Sequence, residues 1–279
     1  MNPPIDDILV DAEWLAQHID DPSVLVADCQ YHDDPASALA AYRKGHISGA
    51  VHVYWPRDLA VGTPPVTNLI PPPTQAASLL GHLGIGNDTT VVGYDVEGGH
   101  QAARLWLVLA YYGHDRFKLL NGGLQRWVAS GGPVSTTDEA RPEAIFRPRP
   151  AREQMRIRAD ELRDRLAEPG FVVADVRRPT EFDGTERRAA RAGHIPGARN
   201  LFWQDNVRDD WTFCMPAEVR ARHEAAGVTP TCEVVTYCQA GVRAAHAALA
   251  LRLAGYPRVR VYDGSWSEWG NDLSLPIER

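Results

Sequence analysis

The sequence contains a long internal repeat, and this repeat constrains the fold more than any other feature of the chain. Residues 45–50 (Gly-His-Ile-Ser-Gly-Ala) recur 148 residues later as residues 193–198 (Gly-His-Ile-Pro-Gly-Ala). Three further pairs of segments keep the same order: 24–28 with 171–175, 90–95 with 233–238, and 121–127 with 263–269. A period of this length indicates duplication of a whole domain and excludes a solenoid, whose repeats are about 20–50 residues long.

Both halves of the chain predict the same alternation of strands and helices. Helices are expected at residues 11–17, 74–83, 158–166, 216–226 and 243–254. Strands are expected at residues 24–28, 51–53, 90–94, 118–120, 171–175, 200–202, 234–237 and 259–262. Such alternation predicts an α/β fold in which each half has a parallel sheet with helices on both faces. We place the domains at residues 1–133 and 152–279, with a linker rich in proline and charge at 134–151.

Residues 234–243 (Val-Val-Thr-Tyr-Cys-Gln-Ala-Gly-Val-Arg) place a cysteine in a tight turn between a buried strand and an alanine-rich helix. The turn begins with Cys238 and ends with Arg243, and Gly255 is expected to end the helix. Backbone N–H groups and the positive end of the helix dipole should hold Cys238 as a thiolate, which is the reactive form. The alternative is an inert core cysteine at the end of a strand.

The composition excludes several classes of function. The chain has 279 residues, a net charge of −7 and a pI near 5.8, which argues against general binding to nucleic acid or to an anionic membrane surface. No apolar run is long enough to span a membrane, and residues 1–7 lack the features of a signal peptide. The four cysteines have no metal-ligand spacing, so we expect free thiols and neither a metal nor a cofactor. A soluble, cytoplasmic protein is expected.

Several motifs of the second half, in their order along the chain, resemble those of the rhodanese family. They are Asp-Val-Arg at 175–177, Gly-His-Ile-Pro-Gly-Ala at 193–198, Tyr-Cys-Gln-Ala-Gly-Val-Arg at 237–243 and Asp-Gly-Ser-Trp-Ser-Glu-Trp at 263–269. More narrowly, residues 8–277 resemble the tandem-domain thiosulfate and 3-mercaptopyruvate sulfurtransferases. The resemblance implies two tandem rhodanese-like domains, of which the second carries a catalytic cysteine that cycles through a persulfide.

The repeat also compares the two halves at the position of the cysteine. It aligns Asp95 with Cys238 and Gly98 with Gly241. Because a carboxylate cannot carry a transferable sulfur, the first half is predicted to be inactive and to form one wall of the pocket of the second. The resemblance implies the same for the N-terminal copy. Asp95 itself is explained as a favourable charge at the N-terminus of a helix.

Cys238 is the predicted catalytic residue, and its thiolate would act as a nucleophile in two half-reactions. The loop residues expected to bind substrate are Gln239, Ala240, Gly241, Val242 and Arg243. Gly241 allows the backbone to turn tightly. Arg243 could contact an anionic donor directly or brace the loop through backbone carbonyls, and both interpretations stay open.

Further residues of the second half are candidates for binding substrate or supporting the loop: Asp175, Arg177, Arg187, Arg188, Trp266 and Glu268. Arg177 is expected to pair with Glu181. Arg187, Arg188 and their neighbour Arg191 could contact an anion or could form a solvated cluster.

The remaining histidines and cysteines are given structural roles. His46 and His194 occupy equivalent places in both halves, one of which is predicted to be inactive, so neither is expected to be catalytic. Cys232 lies beyond the opposite end of the strand that leads to Cys238, so a resolving role is not expected. His246 lies one turn into the helix and is expected to be packed or solvated.

The leading function is a sulfurtransferase that moves a sulfane sulfur from a small anionic donor to a thiophilic acceptor. Thiosulfate is the expected donor, because Arg243 adds positive charge and Ala240 offers no hydroxyl to protonate the enolate that 3-mercaptopyruvate leaves. The alternative donor is 3-mercaptopyruvate, and the expected acceptors are cyanide, a thiol or a thioredoxin-like protein. A non-catalytic binding or sensing module and a phosphatase on the same fold are the other classes, although the phosphatases have a cysteine loop one residue longer.

Overall fold

The computed structural model describes residues 7–279, so the interpretation of the extreme N-terminus falls mostly outside the described residues. The elements of the first half are β1 (Leu9–Val10), α1 (Ala12–His18), β2 (Val24–Asp28), α2 (Pro35–Lys44), β3 (His46–Ile47), β4 (Val51–His52), α3 (Trp55–Asp58), β5 (Val61–Thr63), β6 (Val66–Leu69), α4 (Pro73–His82), β7 (Thr90–Tyr94), α5 (Ala102–Tyr111), β8 (Phe117–Leu120), α6 (Gly123–Ala129) and β9 (Val134–Ser135). Within residues 7–279, none of the helices combines the length and apolar character that crossing a bilayer requires.

The second half repeats the plan with fewer strands. Its elements are α7 (Ala159–Asp164), β10 (Phe171–Asp175), α8 (Pro179–Phe182), β11 (Arg199–Asn200), α9 (Pro216–Ala225), β12 (Glu233–Tyr237), α10 (Val242–Leu253), β13 (Val259–Val261) and α11 (Ser265–Trp269), with 3₁₀ turns at Glu153–Met155 and Trp203–Asn206. Gly255, with a φ of +86°, follows the end of α10 as expected.

Each half builds one parallel sheet, which confirms the predicted fold class. The strand order is β1-β8-β7-β2-β4 in the first half and β11-β10-β12-β13 in the second. Strand β10 shows why both faces are covered. Phe171 and Val173 belong to one apolar cluster, whereas Val172 and Ala174 belong to another, because successive side chains of a strand point to opposite faces.

Helices α5 and α10 pack against each other and join the two halves. All ten residues of α5 and ten of the twelve residues of α10 are buried. The small alanine side chains that dominate α10 permit a close approach of the two helices. Side chains of both helices belong to a single apolar cluster that extends into both sheets. The pair of helices therefore forms a core that the two halves share.

The segment expected to be a linker, residues 134–151, runs along the first half. Its first residues form β9, which pairs with β3 in antiparallel orientation. Further on, the N–H of Ala144 donates to the backbone oxygen of Gly81 at 2.9 Å, and the side chain of Phe146 is buried. These contacts hold the segment against β3 and α4 of the first half. The domain bounds given above remain a prediction.

Candidate active site

Cys238 follows the last residue of β12, at the carboxyl edge of the second sheet, and is 1% exposed. The loop then leads through Gly241, which has a φ of +77°, into α10. A Cβ atom on Gly241 would lie 2.8 Å from the backbone oxygen of Asp263 and 3.3 Å from Nη1 of Arg104. Glycine is therefore required here both for the backbone angle and for space.

The first residues of α11 hold the cysteine loop in place through hydrogen bonds. The N–H of Cys238 donates to Oγ of Ser265 at 3.2 Å. The backbone oxygen of Cys238 accepts from the N–H of Trp266 at 2.9 Å, and that of Gln239 accepts from the N–H of Ser267 at 3.0 Å. Ser265 has a φ of +52°, which is uncommon for a residue with a side chain and is a form of strain found at functional sites. These contacts fix the position of the loop.

The backbone N–H groups of the loop after Asp95 and of the loop after Cys238 have different hydrogen-bond partners. In the first half, four backbone N–H groups donate to the carboxylate of Asp95 at 2.8–3.2 Å; they belong to Glu97, Gly99, Gln101 and Ala102. In the second half, the N–H groups of residues 239–241 have no hydrogen-bond partner anywhere in residues 7–279. These N–H groups remain available to a negatively charged sulfur on Cys238.

The loops also differ in length. Helix α5 begins seven residues after Asp95, whereas α10 begins four residues after Cys238. Gly98 and Gly241 both have left-handed backbone angles, with φ of +72° and +77°, but only Gly241 directly precedes its helix. The two glycines that the repeat aligns therefore share a left-handed backbone conformation, but they lie at different distances from the start of the following helix.

Cys238 lies at a cavity of about 360 Å³ between the two halves of the chain. The second half contributes the loop together with arginine and aromatic side chains: Arg178, Arg188, Phe202, Trp203 and Trp211. The first half contributes Tyr31, Trp55, Glu97, His100 and Gln101. The prediction that the first half forms one wall of the pocket is confirmed, although the sequence did not identify which of its residues do so.

Arg243 is bound to a carboxylate instead of being free in the cavity. Its Nη1 and Nη2 donate to the two carboxylate oxygens of Glu181 at 2.7 and 3.0 Å. Burial alone would lower the pKa of Arg243, but the hydrogen bonds to Glu181 and the charges of Cys238 and Glu181 keep it above its ordinary value. Burial alone would raise the pKa of Glu181, and Arg243 holds it below its ordinary value. The geometry favours bracing of the loop, through Glu181 and not through backbone carbonyls.

The predicted pairing of Arg177 with Glu181 is wrong. Arg177 pairs instead with Asp175, with an Nη2 to Oδ2 distance of 2.6 Å, and both side chains are fully buried. The guanidinium carbon also lies 4.6 Å from the centre of a ring of Trp266. Asp175 is the last residue of β10 and lies two residues before Arg177 in the chain, which places its carboxylate within hydrogen-bond distance of the guanidinium. Asp175 and Arg177 do not line the cavity, and Asp175 accepts a hydrogen bond from the hydroxyl of Tyr237, the residue before Cys238.

The arginines that precede the second Gly-His-Ile segment have different environments. Arg188 lines the cavity, and its Nη1 lies 3.8 Å from the carboxylate of Glu181. Arg187 is exposed and does not line the cavity. For Arg191 neither sequence interpretation holds, because its guanidinium donates hydrogen bonds of 2.7 Å to two backbone oxygens of the C-terminal segment. Of the three, only Arg188 can meet a ligand of Cys238.

Trp266 and Glu268 lie behind the loop and do not line the cavity. Trp266 is fully buried, and its backbone N–H holds the carbonyl of Cys238. Glu268 lines a separate cavity of about 490 Å³ together with Arg156 and Tyr262, and burial raises the pKa of Glu268. The structure therefore places neither residue among those that line the cavity at Cys238.

The histidines assigned structural roles are packed. His46 and His194 each make a hydrogen bond from Nδ1 to a backbone oxygen, at 2.8 and 2.9 Å, in equivalent places of the two halves. His246 is buried against Trp203 and Phe213, and burial lowers its pKa to about 3, so it is a weak base. No group of three or more metal-ligating side chains occurs in the described part of the chain.

All four cysteines are free thiols. Cys29 is buried, and burial raises its pKa well above the ordinary value. Cys214 and Cys232 are half-buried, and neither lines the cavity at Cys238. Of the four, Cys238 is the cysteine that both lines the cavity and lies shortly before a long helix, α10.

Comparison with known proteins gives relatives that match nearly the whole chain. The family model of the rhodanese-like domain matches residues 11–130 and 158–272. The chain is 35% identical over 285 residues to the sulfur carrier protein TtuD of Thermus thermophilus, with 98% of this chain and 97% of that protein covered. It is 34% identical over 273 residues to the thiosulfate sulfurtransferase of Pseudomonas aeruginosa, with 97% of each chain covered.

A solved structure also resembles the chain over almost its full length. It is the anaerobic ergothioneine biosynthesis enzyme of Chlorobium limicola in complex with trimethyl histidine, its natural substrate. The TM-score is 0.87 at 28% identity, and the match covers 98% of this chain and 71% of that chain. The two-sheet arrangement described above is therefore shared with that protein.

Proposed function

Because this chain belongs to the rhodanese-like domain family and is a sulfurtransferase, we propose that it moves the outer sulfur of thiosulfate to cyanide or a thiol through a persulfide on Cys238. The second half supplies the nucleophile and its loop. The first half supplies a wall of the cavity, and the loop that corresponds to the catalytic one is filled by its own Asp95 carboxylate.

The reaction consists of two displacements at sulfur. The Cys238 thiolate attacks the outer sulfur of thiosulfate, a new sulfur–sulfur bond forms, and sulfite leaves with the electron pair of the bond that breaks. Cyanide or a thiolate then attacks the outer sulfur of the persulfide, and the electron pair of that bond returns to Cys238. Neither step needs an oxidant, and sulfite and the Cys238 thiolate leave as anions, so the site must stabilise negative charge and need not supply a proton.

The observation that carries the proposal is the placement of Cys238 at the cavity with the N–H groups of residues 239–241 unpartnered within residues 7–279. The N-terminus of the twelve-residue helix α10 adds the positive end of its dipole at the same point. Asp95 supports the proposal that such a loop stabilises negative charge, because its carboxylate, in the corresponding loop of the first half, accepts hydrogen bonds from four backbone N–H groups. A negative sulfur on Cys238 would gain similar contacts.

Arg178 and Arg188 are the arginines best placed to bind the anionic donor. Both line the cavity, and their side chains are 62% and 47% exposed. Arg243 also lines the cavity, but Glu181 balances its charge. Because a guanidinium can hold an oxyanion at two points, we assign to Arg178 and Arg188 the donor contact that the sequence suggested for Arg243.

Intact-mass spectrometry of the full chain tests the proposed function. Incubation with thiosulfate should add one sulfur atom, and cyanide should remove that atom and release thiocyanate. A Cys238→Ser variant should take up no sulfur, and a Cys214→Ser variant should behave like the wild type. A protein that takes up no sulfur would refute the proposal and favour a non-catalytic binding or sensing module, and uptake on another cysteine would refute the assignment of Cys238.

Thiosulfate is expected to exceed 3-mercaptopyruvate as a donor by at least about tenfold in kcat/KM, equivalent to about 1.4 kcal/mol of transition-state stabilisation. Sulfite leaves as a stable anion and needs chiefly positive charge, which Arg178 and Arg188 offer. The enolate of 3-mercaptopyruvate needs a proton, and Ala240 has no hydroxyl to provide one. Initial rates with each donor, at saturating cyanide, give the comparison.

The same assay tests the contact assigned to Arg188. Arg188→Gln is expected to lower kcat/KM for thiosulfate about tenfold, because it removes a charge-assisted hydrogen bond at the donor. Arg187→Gln is the matched control, since Arg187 is an exposed neighbour that does not line the cavity. A wild-type preference for 3-mercaptopyruvate would contradict the charge argument.

Hydrolysis of aryl phosphates is expected to be negligible. Only four residues separate Cys238 from Arg243, and donors must meet an anion at about 2.7–3.1 Å, so the loop suits one sulfur atom better than a tetrahedral phosphate. In addition, Arg243 is bound to Glu181 and is not free to hold a phosphate. Phosphate release by the wild type, if it disappeared in Cys238→Ser, would show this expectation to be wrong.

A further inference from the structure

Arg104 is a buried arginine of the first half that lies against the back of the Cys238 loop. It is the third residue of α5, and its side chain is 0% exposed. Its Nη1 lies 3.3 Å from the position that a Cβ atom on Gly241 would occupy, so the guanidinium and the loop backbone are in close contact. Helix α5 therefore brings a cation from the inactive half to the base of the catalytic loop.

The positive charge of Arg104 has no counter-ion of its own. Nη2 donates to the backbone oxygens of Leu59 and Asn68 at 3.1 and 2.7 Å, whereas Nε and Nη1 have no hydrogen-bond partner. No carboxylate in the described part of the chain forms an ion pair with Arg104; Asp263 interacts with it but is already bound to Arg156 at 2.8 Å. Burial lowers the pKa of Arg104 to about 10, so it remains charged at neutral pH. A buried charge of this kind is costly to keep.

Gly241 lies three residues after Cys238 in the same turn, so the guanidinium of Arg104 lies against the loop that carries the Cys238 sulfur. We propose that Arg104 is a positioning residue of the reaction, whose buried charge favours the thiolate of Cys238 over the thiol. The thiolate is the nucleophile of the first step and the leaving group of the second, so a cation behind the loop assists both. The catalytic consequence rests on the proposed function, whereas the effect on the thiolate can be measured without it.

Other ionisable groups also surround Cys238 from every element that packs on its loop. They are Tyr31, Glu97 and His100 from the first half and Arg178, Glu181, Arg188, Arg243 and Asp263 from the second. Glu181 balances Arg243, and Arg156 balances Asp263. The charges of Arg178 and Arg188 are screened because solvent reaches them. Arg104 is thus the buried cation of this set that lacks a carboxylate partner.

The rate at which iodoacetamide alkylates Cys238 across a range of pH reports the thiolate directly. The full chain is first treated with cyanide to remove bound sulfur, and the mass of the peptide with Cys238 separates this reaction from those of the other cysteines. In Arg104→Met and Arg104→Gln the midpoint should rise by about one pH unit, so that alkylation below the midpoint slows about tenfold. Arg104→Lys keeps the charge and should stay within about 0.3 unit of the wild type.

Arg252 provides a matched control on α10. It is also buried, its Nε and Nη1 also lack partners, and its Nη2 donates to the backbone oxygen of Val259 at 2.9 Å. Burial lowers its pKa to about 10 as well, but the charged group that interacts with it is Arg152 and not Cys238. Arg252→Met should therefore leave the alkylation midpoint of Cys238 unchanged.

A purely structural role for Arg104 predicts a different pattern. Its substitutions would then lower the melting temperature and leave the alkylation midpoint in place. An unchanged midpoint in a neutral variant that folds would overturn the inference, and so would failure of both neutral variants to fold, since Arg104 would then serve the fold. Because sulfur uptake is not part of this assay, a protein that forms no persulfide can still show the shift, and the two proposals fail separately.

Discussion

Replacing Cys238 by serine is expected to lower the rate of sulfur transfer at least about 10³-fold. Serine keeps the size of the side chain, so the buried loop should retain its shape and its contacts with Ser265 and Trp266. Its hydroxyl is a weak nucleophile that the loop N–H groups cannot hold as an anion near neutral pH. Thiocyanate formation from thiosulfate and cyanide measures the loss.

The other cysteines provide controls within the same chain. Cys214→Ser and Cys232→Ser change half-buried thiols away from the cavity, so activity should stay close to that of the wild type. Cys29→Ala changes a residue of the apolar cluster that the two halves share and should affect stability alone. Persulfide on Cys232 in the Cys238→Ser protein, or turnover by that protein, would contradict the assignment.

Replacing Glu181 by glutamine is expected to lower the free energy of unfolding by about 3 kcal/mol. The carboxylate of Glu181 is fully buried, and its loss would leave the largely buried guanidinium of Arg243 without a counter-ion. A double variant with Glu181→Gln and Arg243→Gln should recover part of the loss, because it no longer buries an unpaired charge. Glu186→Gln is the control, since Glu186 is 3.8 Å from the exposed Arg178 and should contribute less than about 0.5 kcal/mol.

The effect of Glu181 should also depend on pH in a defined direction. Its pKa is lowered in the folded protein from an ordinary value of 4.5, so the stability that its ionised form adds is complete above that value. This stability is lost as the pH falls through the lower folded pKa. Urea unfolding at about pH 7 should therefore show the full gap between wild type and Glu181→Gln, and the gap should narrow below about pH 4. A gap of constant size would contradict the assignment.

The sheets could be predicted from the sequence because local patterns determine them. The apolar runs that form β2 and β10 each end in an aspartate, and the repeat shows that both belong to one plan. The helix expected at residues 243–254 is observed at Val242–Leu253. Helix α2 was not predicted, because only Ala38 and Tyr42 of its ten residues are buried and its apolar period is short.

The candidate site could be predicted only where its residues are contiguous. The loop at Cys238 is one such stretch, whereas Tyr31 and His100 reach it because the two halves pack together. The partner of Glu181 was misassigned for a similar reason, since Arg243 lies 62 residues away and Arg177 only four. A signal for Arg104 does exist in the sequence, because it is the one charged residue in the ten residues of α5.

A fragment cut from this chain between its two sheets would not be a smaller version of the enzyme. It would expose the alanine-rich surface of α10 to water and leave the cysteine loop without Arg104 behind it. It would also lose the hydrogen bond of 2.8 Å between Asn68 and Ser267, which ties the two copies together beside the loop. The half that carries Asp95 is therefore part of the interior of the half that carries Cys238, because α5 and α10 are buried against each other.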